Sequence, residues 1–154
     1  MSVLAAIRPD DVNFPLFLHV FGAMLLVGTL FAVALAIVLA WKRPEDAAGL
    51  TRFSLRLLLM GVLPSYILMR IGAQWTEAAA DYPDDFEPAW IGVGYITADV
   101  GALLILISII LSAIGLRKLR AGGGIGLGRA VGIISILLLA AYIIAVWAMT
   151  AKPT

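Results

Sequence analysis

Three side chains able to hold or move a charge, His19, Arg70 and Asp99, fall inside runs of sequence that are otherwise almost wholly apolar. His19 lies in PLFLHVFGAMLL, Arg70 in SYILMRIGA and Asp99 in YITADVGALLI. An imidazole titrates near neutral pH, a carboxylate takes up protons or cations, and a guanidinium grips carboxylates and other anions through a planar fork. Brought together, they would form a site for a small polar ligand, a proton or an ion. Ionisable groups set in such runs turn away from lipid, towards a bundle interior or a watery cavity.

Further polar side chains follow at helical spacing. Tyr66, Arg70 and Gln74 recur at i, i+4 and i+8, which stacks them on one helix face, and Tyr95 precedes Asp99 by one turn. Gly22 and Ala23 follow His19 at i+3 and i+4, a small-residue stripe that allows close helix contact and turns His19 inward. Tyr142, Ala145 and Met149 make a similar stripe, from which Tyr142 would offer a hydroxyl. An aspartate at the centre of a spanning helix costs ~2.5 to 3.5 kcal/mol on insertion scales. Asp99 is therefore expected to pair with Arg70 through a charge-assisted bidentate bond, as the floor of a pocket that His19, Tyr66, Gln74, Tyr95 and Tyr142 line. The competing expectations are an Arg70 that snorkels to headgroups, a protonated Asp99 bonded between helices, and a neutral His19 bonded to a neighbouring helix.

The elements that must position these groups are long apolar helices. Of 154 residues, 62% are hydrophobic and 14% charged, against about half and about a quarter in soluble domains. Mean hydropathy is +1.03. Four apolar stretches, at 15–41, 53–73, 90–116 and 130–149, each approach or exceed the ~20 residues that cross a bilayer. The expected fold is an all-α, polytopic membrane four-helix bundle forming a single domain over 1–154. The first stretch is longer than the ~7 to 15 residues of a signal-peptide core and follows Asp10 and Asp11, so it is expected to stay as a helix. At 1.5 Å per residue, His19 would lie ~6 Å, Arg70 ~5 Å and Asp99 ~13 Å from one and the same membrane boundary. Pro64, about two turns before Arg70, removes a backbone donor and is expected to kink the second helix near the pocket.

Charge sets orientation. Lys42, Arg43, Arg52, Arg56, Arg117, Lys118, Arg120 and Arg129 are eight of the 11 basic residues and flank the first and third loops. The positive-inside rule puts loops 42–52 and 117–129 in the cytoplasm. Loop 74–89, which holds Glu77, Asp81, Asp84, Asp85 and Glu87 without a basic residue, then faces out, as do both termini. The glycine-rich RKLRAGGGIGLGR lacks the phosphate-loop patterns and a preceding strand, so it reads as a flexible basic linker near anionic headgroups. A net charge of +1 argues against a nucleic-acid partner, and the absence of cysteine removes disulfides, thiol chemistry and cysteine metal sites.

HVFGAMLL at 19–26 aligns with DVGALLIL at 99–106 if one residue is skipped, and LPSYILM at 63–69 with LAAYIIA at 139–145. Two pseudo-symmetric hairpins would set His19 opposite Asp99 and Tyr66 opposite Tyr142. The segment LHVFGAMLLVGTLF resembles a bacterial integral-membrane family of unknown function, number 2269, and is distantly similar to the CopD and HemJ membrane domains. The resemblance implies a four-helix bundle in a bacterial inner (plasma) membrane. It also implies that the first-helix histidine handles a cofactor or metal, with haem or copper on His19. With one histidine in the chain, a haem would take Met24, Met69 or Met149 as second ligand, a second chain's histidine, or none. The expected function is that of a non-enzymatic membrane protein whose outward-opening polar pocket binds a small ligand, proton or ion, with transport as one use of it and, four helices being few for a transporter, a homodimer as the assembly. A haem- or quinone-linked redox protein using His19 and a scaffolding subunit are the alternatives.

Overall fold

The computed structural model describes residues 10–80 and 88–151, and no strand occurs among them. Five helical segments make four spans: α1 (Asp10–Lys42), α2 (Ala47–Leu57) running on into α3 (Leu63–Ala80), α4 (Ala89–Arg120) and α5 (Gly126–Ala151). Each of the four is long and apolar enough to cross a membrane. The chain is a four-helix membrane bundle. α1 begins, α3 stops, α4 begins and α5 stops at one end, here the terminal end; the opposite end carries Lys42, Arg43, Arg117, Lys118 and Arg120 and is the basic end.

The helices outrun the boundaries set by the hydrophobic stretches. The second span starts at Ala47, so Thr51 and Arg52 are helical and the expected loop 42–52 shrinks to a single tight turn, Pro44–Asp46. α3 continues past Ala73 to Ala80, which makes Gln74 and Glu77 helical; the rest of the acidic loop, 81–87, lies outside the described residues. α4 carries Arg117, Lys118 and Arg120 on its last turn. Charge marks where lipid ends, whereas a helix continues until its hydrogen-bond ladder is broken, and cations on a last turn favour the helix dipole. The break after α4 comes from Gly122, whose φ of 81° is a left-handed value that glycine adopts without strain. There the Gly123 N–H bonds the Lys118 carbonyl and the Gly122 N–H that of Leu119, a Schellman ending.

Glycines decide which helices touch. A Cβ added at Gly72 would run into the His19 backbone, and one at Gly22 into the Met69 backbone, so α1 and α3 pack antiparallel at backbone distance. On α4, Gly94 receives Met149, Gly101 receives the Tyr142 ring and Gly115 lies against Leu127 and Gly128, which packs α5 antiparallel along its whole length. Gly132 of α5 lies against Ile37 and Trp41 of α1, and α2 packs on both α1 and α4. The spans thus form a four-sided ring in chain order, with α1 diagonal to α4. In lipid, where apolar side chains gain little by leaving the solvent, such close approaches supply the packing that holds helices together.

Pro64 acts as expected in kind but over a longer stretch. Its ring would collide with the carbonyl four residues earlier, and the ladder answers with a π-helical turn over Leu58–Val62, where the Leu63 N–H reaches back to the Leu58 carbonyl. The extra residue rotates α3 relative to α2. One consequence is visible in the packing: α2 lies against α4, while α3 barely touches it. Outward-facing residues such as Phe17, Met24, Phe31, Leu103, Ile110, Leu137 and Trp147 are exposed and apolar, as a lipid-facing surface requires.

Gly72→Val should force α1 and α3 apart. The expected loss is about 1–3 kcal/mol of folding stability in detergent, from overpacking, whereas Gly28→Val, where an added Cβ meets nothing, should lose far less; thermal or denaturant unfolding of both variants reads the difference.

Candidate intramembrane polar cleft

Towards the terminal end α3 and α4 pack only loosely, and polar side chains bridge the shallow cleft that this spacing leaves between them. The Arg70 Nη2 donates to the Asp99 Oδ1 at 2.9 Å. The pair meets through this one contact rather than through the two-pronged geometry expected from the sequence. Arg70 reaches down to it: its guanidinium carbon passes 4.9 Å from the centre of the Tyr95 ring, a cation–π contact, before the terminal nitrogen meets the carboxylate further in. Asp99 stands ten residues inside α4, ~15 Å from its start.

Two more bridges flank the ion pair. The Tyr66 hydroxyl donates to the Ala98 carbonyl at 3.2 Å, tying α3 to α4 beside Asp99. Nearer the terminal end the Tyr95 hydroxyl donates to the Glu77 carboxylate. Tyr66, Arg70 and Glu77 fall at i, i+4 and i+11, which is one face of α3. The cleft is open: the Arg70 side chain is 23% exposed and that of Asp99 65%. A surface pair in water is worth only ~0–1 kcal/mol, whereas an uncompensated charge in hydrocarbon costs several. The exposure of Asp99 therefore makes the pair's contribution depend on how much water fills the cleft.

The expected single cluster divides in two. His19 turns to the neighbouring face of α3, about 100° from Arg70, where its Nδ1 lies 3.0 Å from the Met69 carbonyl. A carbonyl can only accept, so Nδ1 carries the proton and Nε2 is left with its lone pair when the ring is neutral. This is the helix-to-helix bond that the sequence left as the competing expectation for His19. Tyr142 is buried, with its hydroxyl against Gly101 between α4 and α5, and has no hydrogen-bond partner among the described residues. It lies in the bundle interior, within electrostatic reach of Tyr66 and Arg70 but bonded to neither. Gln74 is exposed on the turn beyond Arg70. Arg70, Asp99, Tyr66 and Tyr95 are the members of the expected set that the fold joins by contacts across α3 and α4, and Tyr142 lies near Tyr66 and Arg70 on their inner side.

Glu77 is the residue missed by sequence reasoning, because it was assigned to a loop. Its spacing of seven from Arg70 would have found it had the helix been carried past Ala73. The carbonyls of Ala98 and Met69 have no signal in sequence, since any residue supplies one. Among the described residues no group of three His, Cys, Asp or Glu side chains converges to hold a metal, so a metal at His19 would rest on one imidazole. Compared with protein-family models, with curated proteins and with solved structures, the chain matches none.

Arg70→Met and Asp99→Asn are each expected to lower folding stability by about 1–3 kcal/mol, and the double variant by less than the two together. A double-mutant cycle of detergent unfolding measures the coupling; additive losses would show that the 2.9 Å contact contributes nothing.

Proposed function

We propose that the protein is a non-enzymatic, multi-pass membrane protein whose cleft between α3 and α4 binds a small ligand or ion, the proton included, at Arg70 and Asp99. The observation that carries the reading is the ion pair itself: a guanidinium and a carboxylate 2.9 Å apart, well inside a span, with the carboxylate two-thirds exposed. A pair that served only to lock helices would gain from being enclosed, since water weakens it. Held at the mouth of a cleft, each charge keeps coordination sites free. The acidic stretch from Glu77 onward and the absence of basic residues there support an outward-facing cleft, with Lys42, Arg43, Arg117, Lys118 and Arg120 at the cytoplasmic end. An acidic rim raises the local concentration of cations and protons above the site. An alternating-access or relay role in transport, in a homodimer, would use the same pair.

A second reading draws on His19. Metal-binding histidines commonly donate the other ring nitrogen to a carbonyl, which orients the lone pair, and Nδ1 of His19 has this arrangement with Met69. The resemblance of LHVFGAMLLVGTLF to membrane domains that handle haem or copper points the same way. Visible absorption of protein purified from haem-replete cells separates the two readings: a Soret band lost in His19→Ala supports the redox reading.

The cleft is tested by unfolding the purified protein in detergent across pH 5–8 and with monovalent cations, divalent cations and small carboxylates in turn. A ligand at 100 times its Kd should stabilise the wild type by about 2.7 kcal/mol, and Asp99→Asn and Arg70→Met should lose that gain. If no probe shifts the wild type more than Asp99→Asn, the pair is structural.

A further inference from the structure

The basic half of the bundle holds a second set of polar groups that the cleft does not use. Thr51 of α2, Ser108 and Ser112 of α4 and Ser135 of α5 are fully buried, and none of their hydroxyls has a hydrogen-bond partner among the described residues. The usual fate of a hydroxyl on a membrane helix is a bond to the carbonyl a turn back. Thr29, Ser54, Thr76 and Thr150 all make that bond, to Leu25, Leu50, Gly72 and Val146 respectively. The four buried hydroxyls do not. An unsatisfied buried hydroxyl costs about 1–3 kcal/mol, so four in one small bundle need a common explanation.

The register of the helices puts them in one place. Along α4 and α5, Gly94 faces Met149, Gly101 faces Tyr142 and Gly115 faces Gly128, so each seven-residue step along one helix matches a seven-residue step back along the other. Midway between the last two pairs that step brings Ser108 opposite Ser135. Ser112 lies one turn nearer the basic end on the same face of α4. There Gly132 lies against Trp41, whose indole N–H is also buried without a partner among the described residues. Thr51 arrives from the fourth side: with Gly61 against Thr29, stepping towards the basic end along α1 and α2 brings Thr51 to the level of Leu39, within a turn of Trp41. All four spans thus contribute a polar group to two adjacent layers. A turn nearer the cleft, Val33, Leu58, Ile105 and Leu138 form an aliphatic layer, each at most 2% exposed.

We infer that Thr51, Ser108, Ser112, Ser135 and the Trp41 indole line an internal hydration site, in which ordered water bridges Ser108 to Ser135 and the surrounding hydroxyls. The helix register sets the two serines opposite one another, neither hydroxyl has a hydrogen-bond partner among the described residues, and a bridging water would find there the 2–4 polar partners it needs. Water in the basic half stops at the aliphatic layer, as apolar constrictions exclude it. This site stands independently of any ligand in the α3–α4 cleft.

Ser108→Ala, Ser135→Ala and the double variant test it, each being small enough for the core to keep its shape. With a shared water, each single change should lower the folding equilibrium constant in detergent about 3- to 10-fold, and the double about as much as either alone. Single changes that are neutral and additive, as for serines bonded to their own helices, or that stabilise, as for dry unsatisfied hydroxyls, would overturn the site. A second readout is independent of stability: water-edited solid-state NMR in lipid bilayers should transfer water magnetisation to Ser108 and Ser135 and not to Ile105 or Leu138. Absence of transfer to both serines would overturn the inference by itself.

Discussion

The bundle depends on close approach at a handful of glycines, backbone to backbone between α1 and α3 and side chain to backbone along most of α4 and α5. Apolar side chains facing lipid and apolar side chains facing one another are in nearly the same environment, so burial alone selects no partner. What selects one is the absence of a Cβ at Gly22 and Gly72 between α1 and α3, and at Gly94, Gly101 and Gly115 between α4 and α5. Dispersion grows steeply as atoms close to contact: Gly22 and Gly72 let two backbones reach that distance, and Gly94 and Gly101 let the Met149 and Tyr142 side chains reach the α4 backbone. The remaining sides of the ring follow from where the two clamped pairs meet: Gly132 against α1, and α2 against α4.

Clamping two sides of a ring leaves the others free to differ. The π turn at Leu58–Val62 swings the terminal half of the second span away from α4, and the side between α3 and α4 opens there. Polar groups replace glycine contacts on that side: Arg70 with Asp99, Tyr66 with the Ala98 carbonyl, Tyr95 with Glu77. The same helix break thus both makes room for a charged pair and removes the packing that would otherwise close over it. At the other end α2 stays against α4, and the polar groups there are enclosed hydroxyls rather than exposed charges.

Much of this was legible from residue types. Four apolar runs of spanning length admit little besides a helical bundle, because lipid offers no partner for an open backbone. The Arg70–Asp99 pair follows from cost: a carboxylate at mid-depth of a span needs a cation, and one guanidinium lies at a compatible depth. The helix ends were misjudged, since charge reports the lipid boundary and not the ladder's end. Glu77 went unseen for that reason. Depth and the Gly22–Ala23 stripe group His19 with the pair, and neither carries information about which neighbour an inward-facing side chain meets.

The sequence by itself determined the number of spans, the half of the bundle in which each ionisable group lies, and the need to neutralise Asp99, because these depend on hydropathy and rise per residue. Only the tertiary structure decided that α1 is diagonal to α4. That places His19 against the Met69 carbonyl and leaves Asp99 to Arg70. Rotation about each helix axis is set by the glycine contacts and by the extra residue of the π turn. A local pattern of apolar and polar residues cannot encode it where lipid and core look alike.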